Sequence, residues 1–452
     1  MNLESFIRGI FGLALLIAIS FLLSNNKKKI NWRLVFSGFT LQIIFAILIL
    51  RGDSLRSFFY PLGLFKDFFK GIAYFFVLIL NFTIEGAKFV FGNLAISPGN
   101  QDSMGVFFAF QVLPTIIFFA SLMSVLYYLG LMQKIVKGMA WVMAKVMGTS
   151  GAESLSCTAN IFVGQTEAPL MIKPFIKGMT QSELLTIMIG GMATIAGGVM
   201  AAYIQILGSA YAASHGVALI QAQQMFATQL LGASVMAAPG AMMIGKILIP
   251  ETTESETKGT VKVAIDKNAS NVIEAAANGA ADGLMLALNV GAMLIAFIAF
   301  IALINFLLNG LGDILGFNSF LMAKFGQPLS FQLVIGLVLQ FVAFGIGVPW
   351  QDSLTFGSLL GTKIVLNEFV AYSDMGKLVE LGKLVNEKSI LMATYALCGF
   401  ANFSSIAIQI GGLGPLAPNR KSDIAALGIK AVIGGVITTL LTATLAGLFF
   451  SF

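Results

Sequence analysis

The sequence is poor in histidine, cysteine and charge. It contains 1 histidine, 2 cysteines and 11% charged residues in a chain of 452 residues. The single histidine, His215, excludes a His-rich metal site, and the two cysteines, Cys157 and Cys398, cannot form a framework of disulfides. Redox and zinc chemistry are therefore not expected.

Apolar residues dominate instead. They make up 57% of the chain, and the mean hydropathy is +0.89, so the apolar surface exceeds what a soluble core could enclose. Continuous apolar runs of about 20 residues are typical of membrane-spanning helices, and they lack the alternation of a β-barrel strand. The sequence thus predicts a helical bundle surrounded by a lipid bilayer. The eight predicted spanning segments are 5–24, 33–50, 105–131, 183–211, 223–248, 284–308, 387–411 and 420–450.

The net charge of +6 does not indicate a nucleic-acid partner. Most Lys and Arg residues lie in short loops between apolar segments, where the positive-inside rule places them on the cytoplasmic side. Lysines alternate with apolar residues over 133–148, which indicates a helix lying in the membrane interface. Regions 58–98 and 328–348 fit an interfacial or an inserted position equally. The polar stretch 251–271 predicts a solvated cytoplasmic linker.

Two segments, 150–178 and 351–378, are too short to cross the membrane twice and too apolar to be ordinary loops. Each is typical of a re-entrant helical hairpin. Each is followed by an apolar segment that is interrupted, at 194–198 in the first half and at 398–402 in the second. A final apolar segment closes each unit. The same order of elements therefore occurs twice along the chain.

This repetition predicts the fold. Two units that enter the bilayer from opposite sides form the inverted repeat of secondary transporters. Capping boxes that pair Ser150 with Glu153 and Thr180 with Glu183 would start two helices of the first unit. We therefore predict an all-α polytopic membrane protein with eight transmembrane helices, two re-entrant helical hairpins in an inverted repeat, and interfacial helices. The predicted parts are N-terminal scaffold and interfacial helices (1–148), a first hairpin repeat (149–250), the linker (251–271), a scaffold helix with an interfacial region (272–350) and a second hairpin repeat (351–452).

Both hairpins carry a glutamate at the tip, Glu167 in the first and Glu368 in the second. A carboxylate at the bilayer centre costs about 2.5–3.5 kcal/mol, so each needs water, a partner or a function. A snorkelling glutamate, or one paired with Lys173 or Lys363, is the plain structural alternative. Two glutamates at equivalent tips, each beside an amide side chain, favour a substrate site. For Asn160, Asn402 and Ser405, hydrogen bonds between helices are the corresponding alternative.

Four motifs occur in one order along the chain, namely FVGQTEAPL, ATIAGG, LNEFVAY and CGFANFSSIAI. With these motifs the chain resembles the concentrative nucleoside transporters, and in particular their bacterial members. The resemblance covers essentially the whole chain. It implies a multi-pass protein of the bacterial inner membrane that forms a homotrimer, with a scaffold part and a mobile transport part in each protomer. It also implies a nucleoside bound between the hairpin tips and the two broken helices.

The resemblance assigns roles to individual residues. It puts Gln165, Thr166, Glu167 and Val199 beside the nucleobase, Phe400 near the base, and Glu368, Asn402 and Ser405 at the ribose. It builds a sodium site from the Asn160 side chain, the Val163 and Ile195 carbonyls and the Thr194 hydroxyl. These roles suit the chemistry, because a carboxylate accepts hydrogen bonds from two sugar hydroxyls, and unwound carbonyls suit an alkali cation.

The predicted function is symport of a nucleoside with a cation, sodium, by alternating access, with a proton as the alternative coupling ion. A channel would need a continuous polar stripe along its helices, whereas the polar residues here are confined to tips and breaks. An enzyme would need a nucleophile with a base, and His215 falls in a predicted outer loop far from either tip. No catalytic residue is therefore predicted. The sequence leaves the preference for purine or pyrimidine nucleosides open.

Overall fold

The computed structural model describes residues 3–58, 60–96, 102–105, 107–259, 269–384 and 386–450. Within these ranges the regular structure is helical. The helices are α1 (Leu3–Leu22), α2 (Trp32–Leu50), α3 (Gly52–Phe58), α4 (Tyr60–Phe91), α5 (Phe108–Gln111), α6 (Leu113–Tyr128), α7 (Leu131–Met147), α8 (Gly151–Ala159), α9 (Lys173–Ile176), α10 (Gln181–Ala193), α11 (Gly197–His215), α12 (Leu219–Leu248), α13 (Val272–Ile314), α14 (Phe317–Phe325), α15 (Phe331–Gly345), α16 (Trp350–Val365), α17 (Glu368–Glu380), α18 (Glu387–Leu397), α19 (Phe403–Leu413) and α20 (Lys421–Phe450).

Seven helical stretches of the described residues are long and apolar enough to cross a membrane. They are Trp32–Leu50, Gly63–Ala95, Phe108–Tyr128, Gln181–His215, Leu219–Leu248, Val272–Ile314 and Pro418–Phe450. Six of them coincide with predicted segments, and Gly63–Ala95 lies in a region that the sequence left undecided. The predicted segments 5–24 and 387–411 form shorter apolar helices. The all-helical membrane fold is thus confirmed, whereas a count of eight spans stays a prediction.

The two predicted capping boxes are present. Ser150 Oγ accepts a hydrogen bond from the Glu153 backbone N–H at 3.3 Å, and Glu153 Oε1 accepts one from the Ser150 N–H at 2.7 Å. Thr180 and Glu183 exchange the same pair of bonds at 3.1 and 3.0 Å. These bonds satisfy N–H groups that the first helical turn leaves without partners, and they fix where α8 and α10 begin.

Both predicted breaks are also present. The first lies between Ala193, where α10 ends, and Gly197, where α11 begins. The second separates α18 from α19 and contains Gly399, which has a φ of +110°. A Cβ atom at this position would lie 2.6 Å from the Met192 carbonyl oxygen, so glycine lets the two breaks approach each other.

The two segments predicted as re-entrant hairpins, 150–178 and 351–378, differ in their second arms, and their re-entry into the membrane stays a prediction. In the second hairpin α16 is followed by a regular helix, α17. In the first, α8 is followed by a 3-10 turn, Ala168–Ile172, and by the single turn of α9. Pro169 and Pro174 lie in this arm. Proline has no N–H to donate, so it interrupts the hydrogen bonds that a longer α-helix would need.

Burial differs widely between the long helices. The apolar part of Leu219–Leu248 is entirely buried, whereas that of Val272–Ile314 is 11% buried. The second of these, α13, packs along α6. Gly279 and Gly283 make this contact close, since a Cβ atom at either would lie within 3 Å of α6 backbone atoms. We call α6 and α13 the scaffold pair.

Only part of the predicted linker lies among the described residues, because 260–268 fall outside them. Its first part packs against the starts of α8 and α10 more closely than a solvated connector would. Ser255 Oγ donates to Glu183 Oε1 at 2.5 Å, and the Gly151 N–H donates to the Thr257 carbonyl at 3.0 Å. The buried Lys246 Nζ of α12 lies 2.8 Å from Glu153 Oε2 of α8 and 3.1 Å from Glu251 Oε2, at the start of this segment. This segment therefore ties α8, α10 and α12 together.

Candidate functional site

The second hairpin tip places a carboxylate among hydrogen-bond donors. Glu368 is the first residue of α17, and it is 5% exposed. Its Oε1 accepts a hydrogen bond from the Tyr203 hydroxyl at 2.9 Å, and its Oε2 accepts one from Asn402 Nδ2 at 3.1 Å. Asn402 is the N-cap of α19, and Tyr203 lies on α11. One residue from each of three elements therefore meets here.

The first hairpin tip joins this group through amides. Gln165 Nε2 donates to Ser405 Oγ at 3.3 Å, and Gln165 Oε1 accepts from Gln409 Nε2 at 3.1 Å. The Ser405 backbone N–H donates to Asn402 Oδ1 at 2.9 Å. Gln165 and Glu368 are thus linked through α19, and the two tips contribute to one polar cluster. We call these residues the tip cluster: Gln165, Tyr203, Glu368, Asn402, Ser405 and Gln409.

Two of the predicted tip residues point elsewhere. Glu167 turns back over its own loop, because a Cβ atom at Gly164 would lie 2.1 Å from Glu167 Oε2. Its exposed side chain lines a cavity of about 500 Å³ between the first hairpin and the scaffold pair. Thr166 packs its methyl group against Gly412 of α19. In this arrangement, neither side chain joins the tip cluster.

The two predicted apolar residues differ in position. Val199 is buried on α11, one helical turn before Tyr203, so both side chains lie on the same face of that helix. Phe400 is half-buried in the second break and packs against the apolar core. Val199 therefore lies on the face of α11 that carries Tyr203 of the tip cluster.

Sequence reasoning missed Tyr203 and Gln409. Both are buried polar residues in apolar helices, which is a signal that the sequence did contain. Gln409 follows Ser405 by four residues and Asn402 by seven, so the three share one face of the helix. A search for polar residues at helical spacing from the tips and breaks would have found both.

The alternative of simple ion pairing is not supported. Among the described residues, neither Glu167 nor Glu368 lies within the 4.0 Å of a lysine or arginine nitrogen that defines an ion pair. Lys363 is buried, but its Nζ contacts backbone carbonyls. Glu368 instead has two neutral donors, and a carboxylate can accept more than two hydrogen bonds.

The predicted cation ligands lie where α8 meets the first break. Asn160 is the C-cap of α8, and Thr194 is the C-cap of α10. Asn160 Nδ2 donates to the Ser156 carbonyl at 3.0 Å, while its Oδ1 is buried and has no hydrogen-bond partner. The Gly197 N–H donates to the Phe162 carbonyl at 3.1 Å and holds the tip against the break.

This donor set suits a hard monovalent cation. A buried amide oxygen without a donor costs free energy unless something else satisfies it. No cluster of three or more His, Cys, Asp or Glu side chains that could hold a metal occurs in the described part of the chain. The predicted ligands around Asn160 are neutral oxygens of an amide, a hydroxyl and backbone carbonyls. Oxygen ligands from unwound helices are typical of sodium sites in transporters.

Comparison with known protein families accounts for most of the chain. Residues 11–94 match the family described as "Na+ dependent nucleoside transporter N-terminus", and residues 229–447 match its C-terminal counterpart. Residues 109–210, between these two, match a family described as "Nucleoside recognition". The first hairpin and the first break fall in this middle match.

Individual proteins are similar over nearly their whole length. The chain is 45% identical to an uncharacterized transporter of Haemophilus influenzae, with 98% of each chain covered. It is 41% identical to the nucleoside permease NupC of Helicobacter pylori, with 97% of each covered. Among solved structures, that of CNTnw in an inward-facing substrate-bound state is 39% identical and superposes with a TM-score of 0.85, covering 99% of this chain and 98% of that one.

Proposed function

Because this chain belongs to the family of concentrative, Na+-dependent nucleoside transporters, we propose that it carries nucleosides across the membrane in symport with sodium. Membership in a family of transporters confirms the prediction that the chain is not an enzyme. The tip cluster carries the proposal for this particular chain, because it joins polar residues of both hairpins and of both broken helices in an otherwise apolar interior.

Glu368 and Asn402 suit the ribose. The carboxylate already accepts one hydrogen bond from Tyr203 and one from Asn402, at 2.9 and 3.1 Å. Two oxygens offer about four lone-pair positions, so two vicinal hydroxyls can still donate to it. Hydrogen bonds to a charged group are each worth about 1.5–3 kcal/mol, which favours a nucleoside over a free nucleobase. Ser405, three residues after Asn402, adds a hydroxyl on the same side.

We assign Gln165, Thr166 and Glu167 to the nucleobase, with Val199 and Phe400 as apolar neighbours. A base edge presents donors and acceptors together, and an amide supplies both kinds of group. The Gln165 amide is hydrogen-bonded to Ser405 and Gln409, so hydrogen bonds to a bound base would replace these two bonds. Glu167 faces the cavity, from which a nucleoside would approach the cluster.

We assign the co-transported sodium to Asn160, Thr194 and the carbonyls of Val163 and Ile195. The unpartnered Oδ1 of Asn160 supports this assignment. One sodium ion moving inward through ~100 mV releases about 2.3 kcal/mol, which corresponds to roughly a 50-fold gradient of a neutral nucleoside. A proton is the alternative coupling ion, because carboxylates at both tips could take part in its transfer.

We further propose alternating access in which the hairpins and broken helices move past the scaffold pair, in a homotrimer. The contrast between a buried central bundle and a peripheral α13 supports a division into two parts. The cavity of about 500 Å³ lies at the boundary between them.

The test is uptake of labelled uridine and adenosine into proteoliposomes, with sodium and pH gradients imposed separately. Uptake should become concentrative with an inward sodium gradient at constant pH, and it should cease when choline replaces sodium. Free uracil should compete poorly with uridine. If a pH gradient drives uptake in choline, the coupling ion is a proton instead of sodium. If uracil competes as well as uridine does, the substrate is the nucleobase instead of the nucleoside.

A further inference from the structure

Lys363 is a lysine whose entire side chain is buried in the last turn of α16, with 0% exposure. Its Nζ donates hydrogen bonds to the carbonyl oxygens of Ala396 and Cys398, at 2.8 and 3.4 Å. A third goes to Thr439 Oγ1 at 3.2 Å. An ammonium group has three donors, and each has an acceptor here.

The surroundings of this ammonium group are those of a cation site. No ion pair joins Nζ to a carboxylate among the described residues. Ala396 and Cys398 lie at the C-terminal end of α18 and in the second break, where backbone carbonyls have no helical partner. The negative end of a helix dipole favours a positive charge, and carbonyls of unwound helices coordinate cations in transporters.

The corresponding place in the first repeat looks different. There, the C-cap of α8 meets the break that follows α10, as the last turn of α16 meets the break that follows α18. In the first repeat the acceptor Asn160 Oδ1 has no donor. In the second repeat the acceptors have Lys363. The two breaks therefore have equivalent places in the fold. Of the two, the second holds a charged side chain of the protein, Lys363.

We propose that Lys363 is a tethered cation at the second break, and that it restricts the transporter to one coupling cation per nucleoside. This rests on the proposed cation-coupled transport. The ammonium group fills the place and satisfies the oxygens that a second sodium ion would need, and its charge repels such an ion. Because the lysine remains attached to the chain and returns with the empty carrier, it moves no net charge over a transport cycle and adds nothing to the driving force.

Two substitutions at Lys363 separate the effects of charge and space. Lys363→Ser removes the charge and leaves room beside the carbonyls of Ala396 and Cys398, so a second sodium ion should bind there. The Hill coefficient of sodium activation of uridine uptake should then rise from about one towards about two. Lys363→Met removes the charge but fills the space, so no second sodium ion should bind and the Hill coefficient should stay at about one. Lys377→Ser is the control, because Lys377 is exposed on the next helix.

Melting of the detergent-solubilised protein provides a reading that needs no transport. Compared with the parent, the Lys363→Ser chain should gain an additional increase in melting temperature when NaCl replaces choline chloride, because ligand binding stabilises the folded state. The Lys363→Met and Lys377→Ser chains should gain none. An assembled Lys363→Ser chain with parental sodium activation and parental melting overturns the proposal.

The parent chain gives a third measurement that does not depend on a variant folding. Binding of radioactive sodium in saturating uridine should reach one ion per protomer, and two ions per protomer would overturn the proposal. Failure of the proposed function has a different signature. It would appear as an absence of nucleoside uptake by the parent chain, while the melting of the Lys363→Ser chain in NaCl would still report on the lysine.

Discussion

The Glu368 carboxylate accepts hydrogen bonds from two donors of the protein, Tyr203 and Asn402, and has lone pairs left for a ligand. Replacing it by glutamine keeps the shape but removes the charge and turns one acceptor into a donor. We expect Glu368→Gln to raise the apparent constant for uridine about tenfold or more, from a loss of about 1.5–3 kcal/mol. Tyr203→Phe, which removes the donor 2.9 Å from Oε1, should weaken uridine binding in the same direction. The measurement is uridine uptake as a function of concentration.

Matched controls are available on the same helices or with the same side chain. Glu380→Gln alters an exposed glutamate of α17, and Tyr74→Phe alters an exposed tyrosine of α4. Both should transport as the parent does. Parental uptake by an assembled Glu368→Gln chain would reduce Glu368 to a residue of the fold.

Asn160 supplies a buried oxygen that no donor satisfies. If this oxygen coordinates sodium, Asn160→Ala should raise the sodium concentration for half-maximal uptake about tenfold, which corresponds to about 1.4 kcal/mol. The saturating rate for uridine should change less. Sodium activation curves at fixed uridine measure both quantities. The exposed Asn93→Ala is the control, and a parental curve for Asn160→Ala would remove this residue from the cation site.

The sequence predicted the tip cluster in part. Gln165, Glu368, Asn402 and Ser405 meet, because their motifs place them at tips and breaks that the fold brings together. The direction of a side chain is decided by packing that the sequence does not display. Glu167 belongs to the same motif as Gln165, but its side chain turns back over Gly164 and does not reach the tip cluster.

Gly399 lies where the backbones of the two broken helices approach each other closely. A Cβ atom there would lie 2.6 and 2.7 Å from backbone atoms of Met192 and Ala193, and backbone cannot move aside as the end of a side chain can. Gly399→Ala should therefore separate the breaks and abolish uptake. Gly382 is the matched control, because its φ is also positive, at +62°, but nothing lies within 4 Å of its added Cβ.

The comparison is made by uridine uptake and melting temperature. Gly382→Ala should lower stability by about 1 kcal/mol and leave uptake intact, because it suffers only the strain of a positive φ. Gly399→Ala should lose uptake even where it assembles. If both variants transport equally well, close contact between the breaks is not needed for function.

Helix starts were easier to predict than helix lengths. The capping boxes at Ser150 and Thr180 act within four residues, so they form as the sequence indicates. The second arm of the first hairpin is shorter than a full helix because Pro169 and Pro174 each remove a donor. The long helix α4 was left undecided, since apolar periodicity alone does not separate an inserted helix from an interfacial one.

The arrangement of the whole chain could be predicted only as a repeat. Its order of hairpin, break and closing helix was visible in the sequence, but the packing of α13 along α6 joins segments more than 100 residues apart. This pairing depends on Gly279 and Gly283, which sequence reasoning did not single out. It also defines the surface past which the hairpins would move.

Movement at this surface can be tested by cross-linking. Tyr127 of α6 lies against Met171 of the first hairpin, with its hydroxyl 3.8 Å from the Met171 sulfur. If transport moves the hairpin past the scaffold pair, then Tyr127→Cys with Met171→Cys, joined by a short bifunctional thiol reagent, should block uridine uptake. A cleavable reagent should allow uptake to recover on reduction. The native cysteines are buried and should react little.

A second pair within the scaffold supplies the decisive control. Ser121 Oγ of α6 donates to the Ala276 carbonyl of α13 at 2.8 Å, so Ser121→Cys with Ala276→Cys can be joined in the same way. If both helices belong to a scaffold that does not move internally, this cross-link should leave uptake intact. Equal inhibition by the two cross-links would mean that α6 and α13 move relative to each other, and continued uptake through the Tyr127–Met171 cross-link would exclude a hairpin that travels past α6.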